Sequence, residues 1–503
     1  MPDYRKGAKN VVECKIYHNN QSYVKQLELN LRDSLIKLDD EFKKKSLNIV
    51  IQWGKKIEKN NYDNTDYICN TNEAISNVSD RLRMFRILKI NGIDIPNIIK
   101  TGITKLGKPQ YQMEQVKAIR NYRVFVFQFQ TLVIYRSNDD LVWLSTDMSK
   151  VNHKYYEVSE SENFETKRIA LLAQRTIYSL GLDFGSVLIG VTSNKKRVVL
   201  DVEHTPKLNI KREKLYREAI IRFIKQYAKD MDTTEPIIGA DPEFMFKDKQ
   251  GKMVLASKYF SKNGKVGCDA RTINRNKAKR PLAEIRPDPS GNPDKVIESI
   301  KNIIDEAVAH INLPSIEWIA GSMPFKGYSI GGHVHFSNVK LNSPIARALD
   351  NYLAVPIALI EDPVTARKRR LKYGFLGDVR SQFHGGFEYR TLGSWVLSPQ
   401  ISKAVLHLSQ FIVKNYTVLK ANNFQSFTNQ KKFYSMNREQ LKKYYIDIWK
   451  QLEATPNFVS IQKKVNIIPE MISKEQIWEE SNDFKINWRS KTYKISNKRA
   501  KSS

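Results

Sequence analysis

The stretch Gly239-Ala240-Asp241-Pro242-Glu243-Phe244 constrains this chain more than any other. Two acids stand two residues apart inside an apolar run, with Ile237-Ile238 before them and Met245-Phe246 after. In a strand, residues i and i+2 point to the same face. Asp241 and Glu243 therefore stand side by side on a segment that otherwise reads as buried. Adjacent carboxylates repel, and burial worsens the repulsion. The pair needs a neutralising partner: a divalent metal, a proton or a basic side chain. A metal is the leading reading.

The same two-residue spacing recurs downstream. Glu284 and Arg286 alternate in Leu282-Ala283-Glu284-Ile285-Arg286-Pro287, after Gly267-Cys268-Asp269. His333 and His335 alternate in Gly332-His333-Val334-His335-Phe336, and Glu388 and Arg390 in Phe387-Glu388-Tyr389-Arg390. Between these last two runs lies a basic stretch with Arg367, Arg369, Arg370, Asp378 and Arg380, which reads as a loop. Antiparallel strands curving round one cleft would collect these polar residues on its concave face. Oxygen ligands with an imidazole suit Mg²⁺ or Mn²⁺ better than zinc or copper, and arginines beside such ions suit phosphate. The bland alternatives are core histidines and the structural ion pairs Glu284–Arg286 and Glu388–Arg390.

Punctuation places helices around these strands. Asn292 caps a helix that opens at Pro293 and carries the stripe Val296, Ile300, Ile303, Ile304 and Ile311. Ser343-Pro344 and Ser398-Pro399 start two more, the first expected to kink or end at Pro356. Further towards the N-terminus, helices are expected over 24–45, 72–91, 165–180 and 211–231, strands at 48–54, 67–70 and 197–203, and a hairpin over 123–136. The C-terminal part, 417–503, reads as helical and polar, ending in a mobile basic tail from Phe484.

Composition bounds the class. With 503 residues, 41% hydrophobic and 10% aromatic, the chain folds into two to four domains. No apolar run is long enough to span a bilayer, and the N-terminus lacks a signal-peptide core. Cys14, Cys69 and Cys268 fit reduced thiols in a cytoplasmic setting and no zinc site. The net charge of +30 leaves nucleic acid open as a partner through a basic surface and tail, although abundant Lys, Asn and Ile also follow from an AT-rich coding sequence.

Gly181-Leu182-Asp183-Phe184-Gly185 and Leu200-Asp201-Val202-Glu203-His204-Thr205-Pro206 resemble the closing turn and strand of the ATP-grasp family, over about 48–209. Leu188 stands where that family has an aspartate, and Asp201 and Glu203 stand where it has Glu and Asn. The chain between Pro96 and Arg123 is too short for the strand pair that covers the phosphates. The region therefore resembles a reduced ATP-grasp domain, less competent for ATP than the acid- and arginine-bearing region downstream of it.

The acid, histidine and arginine runs resemble the carboxylate–amine ligase superfamily of glutamine synthetase and glutamate–cysteine ligase, and within it the phage-encoded COOH-NH2 ligase group. The resemblance implies an α+β fold with a glutamine synthetase-like curved antiparallel sheet and helices on one face, preceded by a smaller α+β ATP-grasp-like domain. It implies metal ligation by Asp241, Glu243, Glu284, His333 and Glu388, with Asp269 a further match. It implies contacts to ATP from Arg286, His335 and Arg369, and catalytic roles for Arg390, Arg380 and Arg370. The implied cofactors are ATP and Mg²⁺ (or Mn²⁺). The implied partners are a small-molecule or peptide carboxylate and an amine, with no membrane, in a host cytoplasm. The implied boundaries are an N-terminal helical segment (1–47), the reduced domain (48–209), a linker helix (210–235), the ligase domain (236–416) and a helical extension (417–503). A ligase-like protein without catalysis, structural or bound to nucleic acid, is the alternative.

Overall fold

A computed structural model describes residues 12–19, 21–36, 47–57, 65–103, 109–137, 155–232, 235–370, 372–383 and 385–489. The chain divides into two compact units, Met1–Lys229 with Gln425–Phe427, and Asp230–Phe424 with Thr428–Ser503. No helix among the described residues is long and apolar enough to cross a membrane.

In the first unit, Leu47–Trp53 pairs in parallel with Val12–His18 on one side and Tyr67–Cys69 on the other. Five antiparallel strands form a second sheet, in the order Arg197–Glu203, Phe184–Val191, Arg120–Phe127, Gln130–Ser137, Tyr155–Val158. The helix Phe164–Ser179 lays Ile169, Ala170, Ala173 and Ile177 into the core with Tyr122, Val124, Val126 and Val187.

The structure corrects several expectations here. The helix expected over 24–45 spans Ser22–Ile36, and 37–46 lies outside the described residues. The stretch 72–91 is two helices, Asn72–Ser79 and Arg81–Ile90, because Asp80 leaves the helical region at φ −96°, ψ 106° and caps the second. A strand pair does fit between Pro96 and Arg123: Ile98–Ile103 and Pro109–Met113 are antiparallel. Antiparallel neighbours need only a short connection, which is how ten paired residues fit a segment read as too short.

In the second unit, the long strand Ile237–Lys247 is central. Its outer neighbours on one side are Leu282–Ile285 and then Val266–Cys268, and on the other Gly332–Ser337, Phe387–Tyr389 and Val379–Ser381, all antiparallel. Met253–Val254 and Glu317–Ile319 pair with the far end of the long strand. The helices Pro293–Ile311 and Pro399–Lys414 start at the expected caps, Asn292 and Ser398, and pack against this sheet. This unit is thus mixed, with helices on an antiparallel sheet.

Pro356 does not end its helix. Ser343–Leu349 runs into a wide π-turn segment, Asp350–Ala354, and α-helix resumes over Val355–Ile360. A wide turn immediately before the proline relieves the clash and the missing donor that would otherwise break the helix. The basic stretch is not all loop either: Pro363–Arg370 is a helix, with Asp362 Oδ1 accepting from Val364 N at 2.9 Å and Thr365 N at 3.1 Å. Nor is 484–489 a mobile tail. Phe484 and Trp488 are buried, Phe484 packs on Phe244 at 5.5 Å, and Trp488 Nε1 donates to Val396 O at 2.7 Å. Residues 490–503 lie outside the described residues.

Candidate active site

Strand register brings the alternating residues together. Asp241 pairs with His333, Glu243 with Glu284, His335 with Glu388, and Arg380 with Glu388. Pro242 stands one residue outside the Glu243–Met245 pairing with Leu282–Glu284, where its missing N–H breaks no ladder bond. The outcome is two groups of potential ligand atoms, each within 4.8 Å of one another: Asp241, His335 and Glu388, and Glu243, Asp269 and Glu284.

His333 is spent differently from His335. Its Nδ1 lies 2.8 Å from Asp241 Oδ1 and 3.2 Å from Glu388 Oε1. Its Nε2 bonds the Tyr373 hydroxyl. His335 Nε2 lies 3.2 Å from Asp241 Oδ1 but makes no aligned hydrogen bond, and neither does the fully buried Glu388 Oε1. Glu243 is held by Gly331, whose N–H donates to Oε2 at 2.6 Å.

Burial works against the charged forms of Asp241, Glu243, Glu284 and His333. It pushes the Glu243 carboxyl up to about 7, with Asp269 and Asp241 adding to the rise. It raises Glu284 in the same way, against the pull of Arg286. Burial opposes the charged form of Asp241 too, but His333 and His335 outweigh it and hold that carboxyl well below the usual range. Desolvation alone would lower His333, yet Asp241, Glu243 and Glu388 raise it to about 9.

The arginines divide into two sets. Arg380 and Arg390 both face Glu388: Arg380 Nε donates to Oε2 at 2.7 Å, and Arg390 Nε lies 3.0 Å from Oε1. Gln382 Nε2 joins Arg380 on Oε2 at 3.0 Å. It sits two residues from Arg380, so alternation alone could have found it. Arg369 is buried and donates to the carbonyls of Ile330, Thr391 and Arg390. Arg370 is buried in an ion pair with Glu361, its guanidinium 4.5 Å from the Phe433 ring centre. Arg286 holds Glu284 and the carbonyls of Lys262 and Gly264. Arg367 is exposed. Tyr373 was not singled out by any sequence pattern.

In the first unit, Glu203 pairs with Arg123 at 3.2 Å and accepts from Ser186 Oγ at 2.9 Å, while Asp201 stands opposite Leu188. Neither acid belongs to a three-ligand group among the described residues.

Comparison with known proteins gives one family and a set of partial structural likenesses. A family model described as phage phiEco32-like COOH.NH2 ligase-type 2 matches residues 238–490, half of the chain. The solved ATP-grasp ligase PsnB with its minimal precursor is 11% identical, covering 42% of this chain and 99% of that one at a TM-score of 0.30. The macrocyclase MdnC bound to precursor peptide MdnA, from Microcystis aeruginosa MRC, is 8% identical over 42% and 99%, at 0.29. D-alanine–D-alanine ligase from Bacillus anthracis with ATP is 12% identical over 43% and 99%, at 0.29. No curated protein matches the chain.

Proposed function

The chain belongs to the phage phiEco32-like COOH.NH2 ligase-type 2 family, and from that premise we propose that it joins a carboxylate to an amine at the expense of ATP, through an acyl phosphate. The observation that carries this reading is the pair of three-ligand groups on one sheet, with two arginines against Glu388.

Divalent ions fit this donor set. It is rich in carboxylate oxygen with one imidazole, as Mg²⁺ and Mn²⁺ prefer, and Glu388 Oε1 and His335 Nε2 are buried without an aligned partner. Asp241, His335 and Glu388 would hold one ion, and Glu243, Asp269 and Glu284 a second. Bound there, the ions would neutralise the acids and polarise phosphate oxygens. His333 was expected as a ligand, but both its nitrogens are engaged, so we assign it to orienting Asp241.

The carboxylate substrate attacks the terminal phosphorus of ATP, the bond to ADP breaks, and an acyl phosphate forms. The amine then attacks the acyl carbon, inorganic phosphate leaves, and the amine nitrogen loses a proton as the amide forms. Arg390 and Arg380 are assigned to the phosphoryl group, since their guanidiniums reach the acids. Arg369 and Arg370 are assigned to the fold, since theirs are bonded to carbonyls and to Glu361.

The test is amine-dependent release of phosphate from ATP with Mg²⁺, screened over amino acids, polyamines and peptides. Turnover that disappears in Glu388→Gln supports the reading. The net charge of +30 favours a second reading, association with nucleic acid. Salt-sensitive DNA binding without ATP turnover would select it.

A further inference from the structure

Tyr373 stands between the acids and the arginine. His333 comes from the strand Gly332–Ser337, and Arg390 follows the strand Phe387–Tyr389. The Tyr373 hydroxyl bonds His333 Nε2 and accepts from Arg390 Nη2 at 2.7 Å. Its ring stands edge-on to the imidazole, centroids 5.8 Å apart at 76°. The guanidinium carbons of Arg369 and Arg390 each lie 4.9 Å from the ring centre.

The phenol is itself anchored. Tyr373 N donates to Arg369 O at 2.9 Å, and the Arg369 side chain is fixed by three carbonyls. Arg390, by contrast, has few restraints. Among the described residues, its one aligned side-chain hydrogen bond is the one to Tyr373, because Nε faces Glu388 without alignment. Without the phenol oxygen, Arg390 keeps its attraction to Asp378, Glu388 and the ring, but no aligned side-chain hydrogen bond among the described residues.

We infer that Tyr373 is a positioning residue that ties His333, and through it Asp241, to Arg390, so that the acid groups and the phosphate-side arginine share one fixed geometry. The inference rests on the ligase reading. A guanidinium stabilises a transferring phosphoryl group only when it is already aimed.

The experiment compares Tyr373→Phe, Arg390→Lys and the double variant in amine-dependent ADP formation by the full chain. Tyr373→Phe keeps the ring and removes one oxygen. The expected result is a 10- to 100-fold loss of kcat, the size of a lost hydrogen bond to a charged group, with KM for ATP changed less than about 3-fold. The double variant should be no slower than Arg390→Lys alone, because Tyr373 acts through Arg390. Gly331→Ala gives an independent route: a Cβ there would meet His333 Nε2 at 2.4 Å and Tyr373 Cε1 at 3.2 Å. It wedges the pair apart without altering either residue, so kcat should fall in the same direction; because Gly331 N also holds Glu243, the fall counts only where the shift of Tm with Mg²⁺ stays as in the wild type, and a fall accompanied by loss of that shift would overturn this route. This variant carries the test if Tyr373→Phe melts below the assay temperature. Wild-type kcat in either variant, or losses that multiply in the double variant, would overturn the inference. Absence of amine-dependent turnover in the wild type would instead overturn the ligase reading.

Discussion

Glu243 and Glu284 stand directly opposite each other on neighbouring antiparallel strands, with Asp269 within 4.8 Å of both. Like charges facing across a sheet are destabilising, and Glu243 is raised to about 7 by its burial and its acid neighbours. A bound cation reverses the sign of that interaction. Glu243→Gln should therefore melt no lower than wild type without metal, since Gln keeps an acceptor for Gly331 N. It should lose most of the rise in Tm that Mg²⁺ or Mn²⁺ is expected to give the wild type if the proposed ion site holds. An unchanged metal-induced rise would remove Glu243 from the ion site.

Asp80 divides what hydrophobic periodicity reads as one helix. Its Oδ1 accepts from Leu82 N at 2.9 Å and Arg83 N at 3.0 Å, satisfying two donors that a helix start leaves open. Asp80→Ala should weaken the Arg81–Ile90 helix by about 1 kcal/mol. The measure is faster amide hydrogen exchange over 81–84, with the response to Mg²⁺ unchanged. Unchanged exchange would mean that packing of Met84, Phe85 and Leu88 alone holds the helix end.

These cases show what a sequence exposes. The face that Asp241, Glu243, Glu284 and Glu388 share is a local property of a strand, readable at a spacing of two. That Glu243 meets Glu284, and Asp241 meets His333, depends on register between segments far apart in sequence. The helix Pro363–Arg370 escapes hydrophobic periodicity because its buried face is Ala366, Arg369 and Arg370. The Asp362-Pro363 start was its only signal, the same punctuation that marks Ser398-Pro399; at Ser343-Pro344 the cap is Asn342, one residue earlier. Tyr373 has no local signal at all, because its hydroxyl partners, His333 on one strand and Arg390 just past another, are far from it in sequence.

Arg390 projects beside Glu388 at the centre of the proposed site. Charge building on a phosphoryl group between two anions is only partly met by metals, so a planar, fixed guanidinium matters most in the transition state. Lysine keeps the charge and loses the fork. Arg390→Lys is expected to lower amine-dependent ADP formation by roughly 10²–10³-fold, with Tm and the metal response close to wild type. Near-normal turnover would make Arg390 a structural partner of Glu388 and Tyr373 only.

Glu480 gives a pH dependence that lies apart from the metal-type acids. Its Oε1 accepts from Ser322 N at 2.9 Å and Trp478 Nε1 at 3.0 Å, while Oε2 is buried without an aligned partner. Burial pushes this carboxyl from 4.5 up to about 7; Trp478, Ser322 and Thr365 oppose the rise, and Asp362 adds to it. The folded chain thus holds the proton more tightly than the unfolded one. As pH rises from 4.5 the unfolded state releases it first, so stability falls until about 7 and then levels off. A shift of this size corresponds to roughly 3 kcal/mol. Glu480→Gln removes the titrating group and keeps an acceptor for Ser322 and Trp478. Its Tm advantage over wild type, measured without metal, should therefore be small near pH 5 and grow up to about pH 7, then stay constant. A difference in Tm that is the same at pH 5 and pH 8 would mean that Glu480 is ionised in the folded chain throughout, and that the buried charge is met by a partner other than Ser322 and Trp478.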